Sequence, residues 1–138
     1  MKKTRNSNIL QGEMADNNTV VLYGAKFACN GLSLVSGGKV DEEGNITDGE
    51  GNAVNLAGTK VIAEIDFKDI NLFDYEDEGI ISGEIISVMF KGNHNHLEVK
   101  TSEGAFFVDT QDEWDDGDIV GINVNPQAIR LKAAEVET

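Results

Sequence analysis

Apolar and polar residues alternate along much of the chain, which is the pattern of β-strands that bury one face. In the segment 60–67 four residues at every second position are apolar and would share one face: Val61, Ala63, Ile65 and Phe67. The same spacing recurs at Val120, Ile122 and Val124. It predicts a strand that Pro126 ends, because proline brings no amide donor to a ladder.

Shorter strand patterns fill the rest of the chain. They predict strands at 9–12, 19–23, 26–29, 80–90 with a bend at Gly83, 97–101, 105–108 and 129–131. A turn is expected at Gly24-Ala25, and Ser102-Glu103-Gly104 would close a hairpin. No window of ten or more residues shows apolar residues at helical spacing. The sequence therefore predicts an all-β fold, a small barrel of short antiparallel strands.

The length of 138 residues predicts one domain. We place it at residues 6–132 and expect flexible ends at 1–5 and 133–138. Glycine, asparagine and acidic residues accumulate between residues 30 and 59. The short apolar pieces of that segment allow one or two small hairpins.

Charge narrows the classes of partner. The chain has 25 acidic against 11 basic residues, a formal net charge of −14. Binding to nucleic acid through phosphates needs a basic face, so we expect no nucleic-acid partner. An anionic membrane surface would also repel the chain. The same field favours cationic ligands.

Neither a membrane span nor a disulfide is expected. No apolar run approaches the roughly 20 residues that cross a bilayer, which argues against direct membrane insertion. The basic start of the chain is not followed by the apolar stretch of a secretory signal. The single cysteine, Cys29, excludes an intramolecular disulfide and fits a reducing cytoplasm. It follows Phe27 in a predicted strand, where a buried cysteine behaves as a small hydrophobe.

Several short motifs, in order along the chain, resemble one family. Segment 8–12 has the form Asn-x-x-x-Gly, segment 90–94 reads Phe-Lys-Gly-x-His, and Gly117-Asp118 precedes Val120-Gly121-Ile122 and Pro126. Segment 21–29 is similar to the family's next hairpin. The family is the TOBE domain, which follows the nucleotide-binding domain in many ABC importer ATPase subunits. The likeness is strongest to spermidine/putrescine import ATPases.

One family motif is mostly lost. Where these proteins show Arg-Pro-Glu-Asp before an aliphatic residue, only Asp69-Ile70 is kept. Asp66, Phe67 and Lys68 stand in place of the arginine, the proline and the glutamate. The contact that this motif makes in the family is therefore not expected here.

The resemblance implies an OB-like TOBE barrel in which 30–59 is a Gly/acid-rich hairpin insertion. It also implies a regulatory or accessory domain in the ATP-binding subunit of an ABC importer of polyamines. The partners would be the ABC ATPase domain, its membrane permease subunits and a second copy in a homodimer. The location would be cytoplasmic, at the inner face of the plasma membrane. Association of two copies in a homodimer needs an exposed apolar patch. We expect that patch among Phe67, Phe73 and Tyr75 or at Phe106 and Phe107.

We expect no enzyme activity from this chain alone and no bound cofactor. The phosphate-binding loop Gly-x-x-x-x-Gly-Lys-Ser/Thr is absent from the sequence, so ATP and Mg would be bound by a nucleotide-binding domain outside it. Segment 34–39 resembles the ABC signature, but it lies in the β-rich insertion without that loop. The chain would be an excised domain, a separately encoded domain or a remnant.

The sharpest charge cluster is the acidic loop, residues 109–118. As a candidate cationic-ligand site it offers Asp109, Asp112, Glu113, Trp114, Asp115, Asp116 and Asp118. Carboxylates and the π face of a tryptophan suit an ammonium group, and spermidine is the hypothesis. The loop does not match the EF-hand calcium-binding pattern. Trp114 would occupy one ligand position, and Asn123 stands where the pattern requires the closing glutamate. The alternative is a solvated loop with Trp114 packed against the barrel.

Two other groups of residues offer less. His94 and His96 would share one face of an extended segment and could bind a metal, but no further ligand is spaced nearby, so no metal is expected. Related TOBE domains bind oxyanions such as molybdate. The side chains that could bind an oxyanion here are few: Lys91, Thr101 and Ser102. No catalytic residue is predicted.

Overall fold

The computed structural model describes residues 6–134, and strands dominate that part of the chain. It contains no α-helix, only 3₁₀ turns at Gly31–Leu34, Phe67–Asp69, Glu76–Glu78 and Pro126–Ala128. The strands are β1 Ser7–Asp16, β2 Thr19–Leu22, β3 Ala25–Ala28, β4 Lys39–Val40, β5 Ile46–Thr47, β6 Lys60–Asp66, β7 Ile70–Phe73, β8 Ile81–Phe90, β9 Asn95–Lys100, β10 Ala105–Thr110, β11 Ile119–Val124 and β12 Arg130–Ala133. The all-β prediction is confirmed.

The strands form two antiparallel five-stranded sheets and one small hairpin. The first sheet has the order β12-β6-β1-β2-β3, the second β10-β9-β8-β11-β7, and β4 pairs with β5. The ladder between β1 and β6 runs from Ser7↔Asp66 to Glu13↔Lys60, so the first sheet joins residues far apart in sequence. The predicted hairpin of 97–101 and 105–108 is β9 and β10.

The core lies between the inward faces of the two sheets. The alternating residues of β6 and β11 are buried as predicted, with Val61, Ile65, Val120 and Ile122 fully inaccessible to solvent. Phe106 is fully buried and packs edge-to-face against Phe27 and Tyr23, with ring centroids 6.5 and 5.1 Å apart. Such aromatic contacts stabilise a core beyond the area they bury.

Two local features differ from the prediction. The turn between β2 and β3 is centred on Tyr23 and Gly24, with φ of 51° and 77°, because a tight hairpin needs positive φ at both central residues. Ala25 already pairs with Leu22, so it belongs to β3. The irregularity in β8 lies between Ile85 and Ser87 instead of at Gly83.

Gly83 allows a close approach between strands. A Cβ at this position would lie 2.8 Å from Val99 Cγ1 and 3.0 Å from the carbonyl oxygen of Lys100, which is too close for a side chain. The glycine therefore permits close packing of β8 against β9, and the extra residue at Ile86 changes the register.

The last strand extends beyond the predicted end of the domain. Ala133 pairs with Val61, and Ala134 N donates to the carbonyl oxygen of Lys60 at 2.9 Å. The predicted domain ended at residue 132, whereas these backbone contacts extend to Ala134. The remaining expected flexible ends, 1–5 and 135–138, lie outside the described residues.

The segment 30–59 contains the β4–β5 hairpin and an antiparallel bridge between Thr47 and Ala53, and it is joined to the rest of the domain. Ile46 and Leu56 are buried in the core. The side chain of Asn17 accepts a hydrogen bond from Leu56 N (2.7 Å) and donates one to the carbonyl oxygen of Val54 (2.8 Å). Outward from these anchors, backbone amides of Asn52 and Glu50 bind the carboxylate of Asp48 and lower its pKa.

Side chains of the first sheet cover the outer edge of β10. The amide of Asn8 accepts a hydrogen bond from Phe107 N (2.8 Å) and donates to the carbonyl oxygen of the same residue (2.9 Å). Tyr23 Oη donates to the carbonyl oxygen of Ala105 (2.8 Å), and burial raises the pKa of this phenol. Backbone groups that an edge strand would leave unpaired are thus satisfied, and the two sheets are joined.

Adjacent phenylalanines test the assignment of the core. Phe106→Ala should lower the free energy of unfolding by about 3–5 kcal/mol, because it empties a fully buried site. Phe107→Ala should cost only about 1 kcal/mol, because Phe107 remains 38% exposed and stacks on His96. Urea denaturation followed by circular dichroism measures both values. Equal losses would contradict the inward orientation of Phe106.

Candidate functional site

The acidic loop connects β10 to β11, and its own backbone contacts hold it. Asp115 N donates to the carboxylate of Asp118 (2.8 Å), and Asp118 N donates back to the carbonyl oxygen of Asp115 (3.0 Å). Gly117 takes a φ of 96°, a conformation that side chains disfavour. Gly117 N also donates to the carbonyl oxygen of Ile85 (2.6 Å), so the loop is fixed to β8.

Part of the acidic loop lines an open groove of about 430 Å³, which we call the acidic groove. The predicted residues that reach it are Asp112, Glu113, Trp114 and Asp118. The opposite wall comes from the end of β7 and the following 3₁₀ turn: Leu72, Phe73, Asp74 and Glu78. Five carboxylates and two aromatic side chains thus line one groove.

Sequence reasoning missed Asp74 and Glu78. They lie more than 30 residues before the acidic loop, and they reach it because β7 pairs with β11, as in Gly121↔Phe73. The acidic run at residues 74–78 was visible in the sequence, but its position beside the loop depends on this pairing. Five carboxylates in one groove attract cations and repel anions.

Trp114 lies between the groove and the core. Its ring packs against the buried cluster, and its indole Nε1 is buried without a hydrogen-bond partner among the described residues. Trp114 therefore both packs against the core and lines the acidic groove.

Three predicted residues lie away from the groove. Asp115 and Asp116 do not line it. Asp109 faces the histidines, with its Oδ1 2.6 Å from His96 Nδ1 and its Oδ2 3.6 Å from His94 Nε2. Both imidazoles thus share one face beside a single carboxylate. Within residues 6–134, no group of three or more His, Cys, Asp or Glu side chains is placed to hold a metal ion.

The residues considered for an oxyanion are separated. Lys91 follows β8 beside the start of β9, whereas Thr101 and Ser102 follow the end of β9. Thr101 is buried, and its hydroxyl donates to the carbonyl oxygen of Gly104 (2.6 Å). These three residues therefore do not form one site.

The exposed apolar surface differs from the expectation. Phe67 and Phe106 are buried, so they do not contribute to an exposed patch, whereas Phe107 and Tyr75 are exposed. The larger exposed set lies at the end of β8, in the strand predicted at 80–90: Ile86, Val88, Met89 and Phe90. Within residues 6–134, no helix is long and apolar enough to cross a bilayer.

Known proteins resemble this chain in sequence and in structure. No family model matches it. The spermidine/putrescine import ATP-binding protein PotA of Bacteroides thetaiotaomicron is 35% identical over 132 residues, 95% of this chain and 24% of that protein. PotA of Bacteroides fragilis is 33% identical over the same shares. The chain therefore spans about a quarter of the length of these relatives.

A solved structure shares the fold. The cytoplasmic molybdate-binding protein ModG, with molybdate bound, matches with a TM-score of 0.66 over 97% of this chain and 100% of that one, at 12% sequence identity. This likeness and the antiparallel sheets define an all-β, OB-like domain of the TOBE type. The sequence likeness matches this chain to one segment of the spermidine/putrescine import ATP-binding proteins, and the predicted family resemblance is confirmed.

Cys29 is predicted to be unreactive in the folded protein. Burial, assisted by the charge of Asp16, raises the pKa of its thiol to about 11. Because the thiolate is the nucleophile, alkylation by iodoacetamide at pH 8 should be about a hundredfold slower than in the unfolded chain. Mass spectrometry with and without denaturant measures this ratio. Fast labelling of the native protein would contradict the assignment of Cys29 as a packing residue.

Proposed function

We propose that this domain regulates the ATP-binding subunit of an ABC importer of polyamines by contacting other parts of that subunit or a second copy of it. The observation that carries the proposal is the match of 95% of the chain to about a quarter of the spermidine/putrescine import ATP-binding proteins. The absence of a phosphate-binding loop from the sequence fits a role that depends on a separate ATPase domain. The domain would act on the cytoplasmic side of the membrane with the permease subunits.

A segment exchange tests this role. The matching quarter of the Bacteroides thetaiotaomicron protein would be replaced by this chain, and spermidine uptake would be measured in cells that lack their own importer. The exchanged protein should retain uptake close to that of the unmodified relative, whereas deletion of the segment should reduce it. A control exchange with Phe106→Ala tests whether the folded domain is needed. An exchanged protein no better than the deletion would overturn the proposal.

The acidic groove supports a second candidate function, binding of a polyamine. The specific observation is that β7 and the following turn add Asp74 and Glu78 to the predicted acidic residues in one groove. A polyamine carries several ammonium groups spaced along a flexible apolar chain. Carboxylates suit its charges, and Phe73 and Trp114 offer apolar and π surface to its methylene and ammonium groups. The fraction of domains with a bound polyamine would then depend on polyamine concentration, so the regulatory domain would respond to the transported substrate.

Spermidine titration with matched variants tests this candidate. Asp112→Asn with Glu113→Gln removes two charges from the groove and should weaken spermidine binding about tenfold at low salt. Glu42→Gln with Glu43→Gln removes two charges from the β4–β5 hairpin and should leave binding nearly unchanged. Isothermal titration calorimetry at low and physiological salt measures both. If the two pairs of substitutions weakened binding equally, net charge alone would explain the binding, and the acidic groove would not be a specific site.

A further inference from the structure

In the part of the chain that the structure describes, the second half of β8 has a partner strand on one side only. The ladder between β8 and β11 ends at Glu84. At the next residue, Ile85 N donates to the carbonyl oxygen of Asp118 (2.9 Å) and the Ile85 carbonyl accepts from Gly117 N. In the stretch Ile86–Phe90, Ile86 is the extra residue of the bulge and Ser87–Phe90 pair with β9 on one side. No strand within residues 6–134 pairs with the other side of this stretch. We call this segment the β8 edge.

The register identifies the free backbone groups. Lys91 N donates to the carbonyl oxygen of His94 (2.8 Å), where β8 turns into β9. Residues of an antiparallel pair alternate between bonding to the neighbouring strand and pointing away from it. Met89 therefore bonds to β9, whereas the amide and carbonyl groups of Val88 and Phe90 point outward. Such a row is a template for one more strand.

The side chains around this row are apolar. Ile86 and Val88 are each 39% exposed, Met89 is 52% exposed and Phe90 is 69% exposed. Ser87 is the polar residue of the β8 edge. The β8 edge contains neither lysine nor proline, which commonly protect an edge strand from pairing. The edge of β10, in contrast, is covered by Asn8 and Tyr23. The β8 edge therefore combines unpaired backbone with exposed apolar surface.

Charge indicates which kind of strand would bind. An added strand would lie on the same side of β8 as β11 and would run in line with it. Its end beside Ile85 would meet Gly117 and the acidic residues around it, Asp115, Asp116 and Asp118. With a net charge of −14 on each copy, a second copy of this chain is repelled at long range, whereas a basic segment is attracted.

We propose that the β8 edge binds an extended segment of a partner protein in which apolar and basic side chains alternate. The partner's backbone would pair with Val88 and Phe90, and its apolar side chains would contact theirs. A basic side chain at the end nearest Ile85 would reach the carboxylates beyond Gly117. This is recognition by strand addition, in which main-chain hydrogen bonds give affinity and side chains give specificity.

A blocked seven-residue peptide of alternating lysine and valine is the probe, used with the full 138-residue chain. Binding should shift the NMR amide signals of Val88 and Phe90 and slow their hydrogen exchange. Phe90→Ala should weaken binding about fivefold. Tyr75→Ala is the matched control, because both side chains are 69% exposed, and it should have no effect. Val88→Pro should abolish binding, since it removes an outward donor.

Control ligands separate strand addition from attraction of charge. A peptide with glutamate in place of lysine should not bind. The lysine peptide methylated on its backbone nitrogens keeps its charge, and it should bind at least about tenfold more weakly. Equal binding of the methylated peptide, or the same shifts with spermidine, would overturn the proposal. So would concentration-dependent shifts of Val88 and Phe90 without peptide, which would assign the edge to a second copy.

Discussion

The fold depends on how the outer edge of β10 is joined to the first sheet. Among residues 6–134 no strand lies between β10 and β1, so the peptide groups of Phe107 and Ala105 would otherwise lack partners. The carboxamide of Asn8 forms hydrogen bonds with both the amide and the carbonyl group of Phe107. The hydroxyl of Tyr23 donates to the carbonyl oxygen of Ala105. A backbone group left unpaired away from water costs about 1–3 kcal/mol, so these polar side chains stabilise the junction between the two sheets.

Charge contributes little to holding this framework together. Arg130 lies between Glu64 and Asp66 at 3.2 and 2.9 Å, and the Ser7 hydroxyl and Arg130 lower the pKa of Glu64. These groups are largely exposed, so solvent screens their attraction. The large acidic excess is therefore better understood through what the protein attracts than through its stability. The acidic groove and the neighbourhood of Gly117 concentrate this excess.

The sequence predicted the features that depend on local pattern. Alternation identified the buried faces of β6 and β11, and Pro126 ended β11 as expected. The extra residue at Ile86 was missed, because a bulge is defined by a partner strand. Asp74 was missed for the same reason, since only the pairing of β7 with β11 brings it to the acidic loop. The likeness to the family supplied the OB-like fold type, which periodicity alone did not name.

The hydrogen bonds of Asn8 also bear on how the chain folds. They join residues 99 positions apart, whereas β8, β9 and β10 are neighbours in sequence and can associate early. Contacts that close such long loops form slowly, so we expect this three-stranded meander to be populated before the first sheet docks onto it. During that interval both of its outer strands would be uncovered. A nascent chain would then be most prone to aggregation, and a chaperone or an early-binding partner would be of most use.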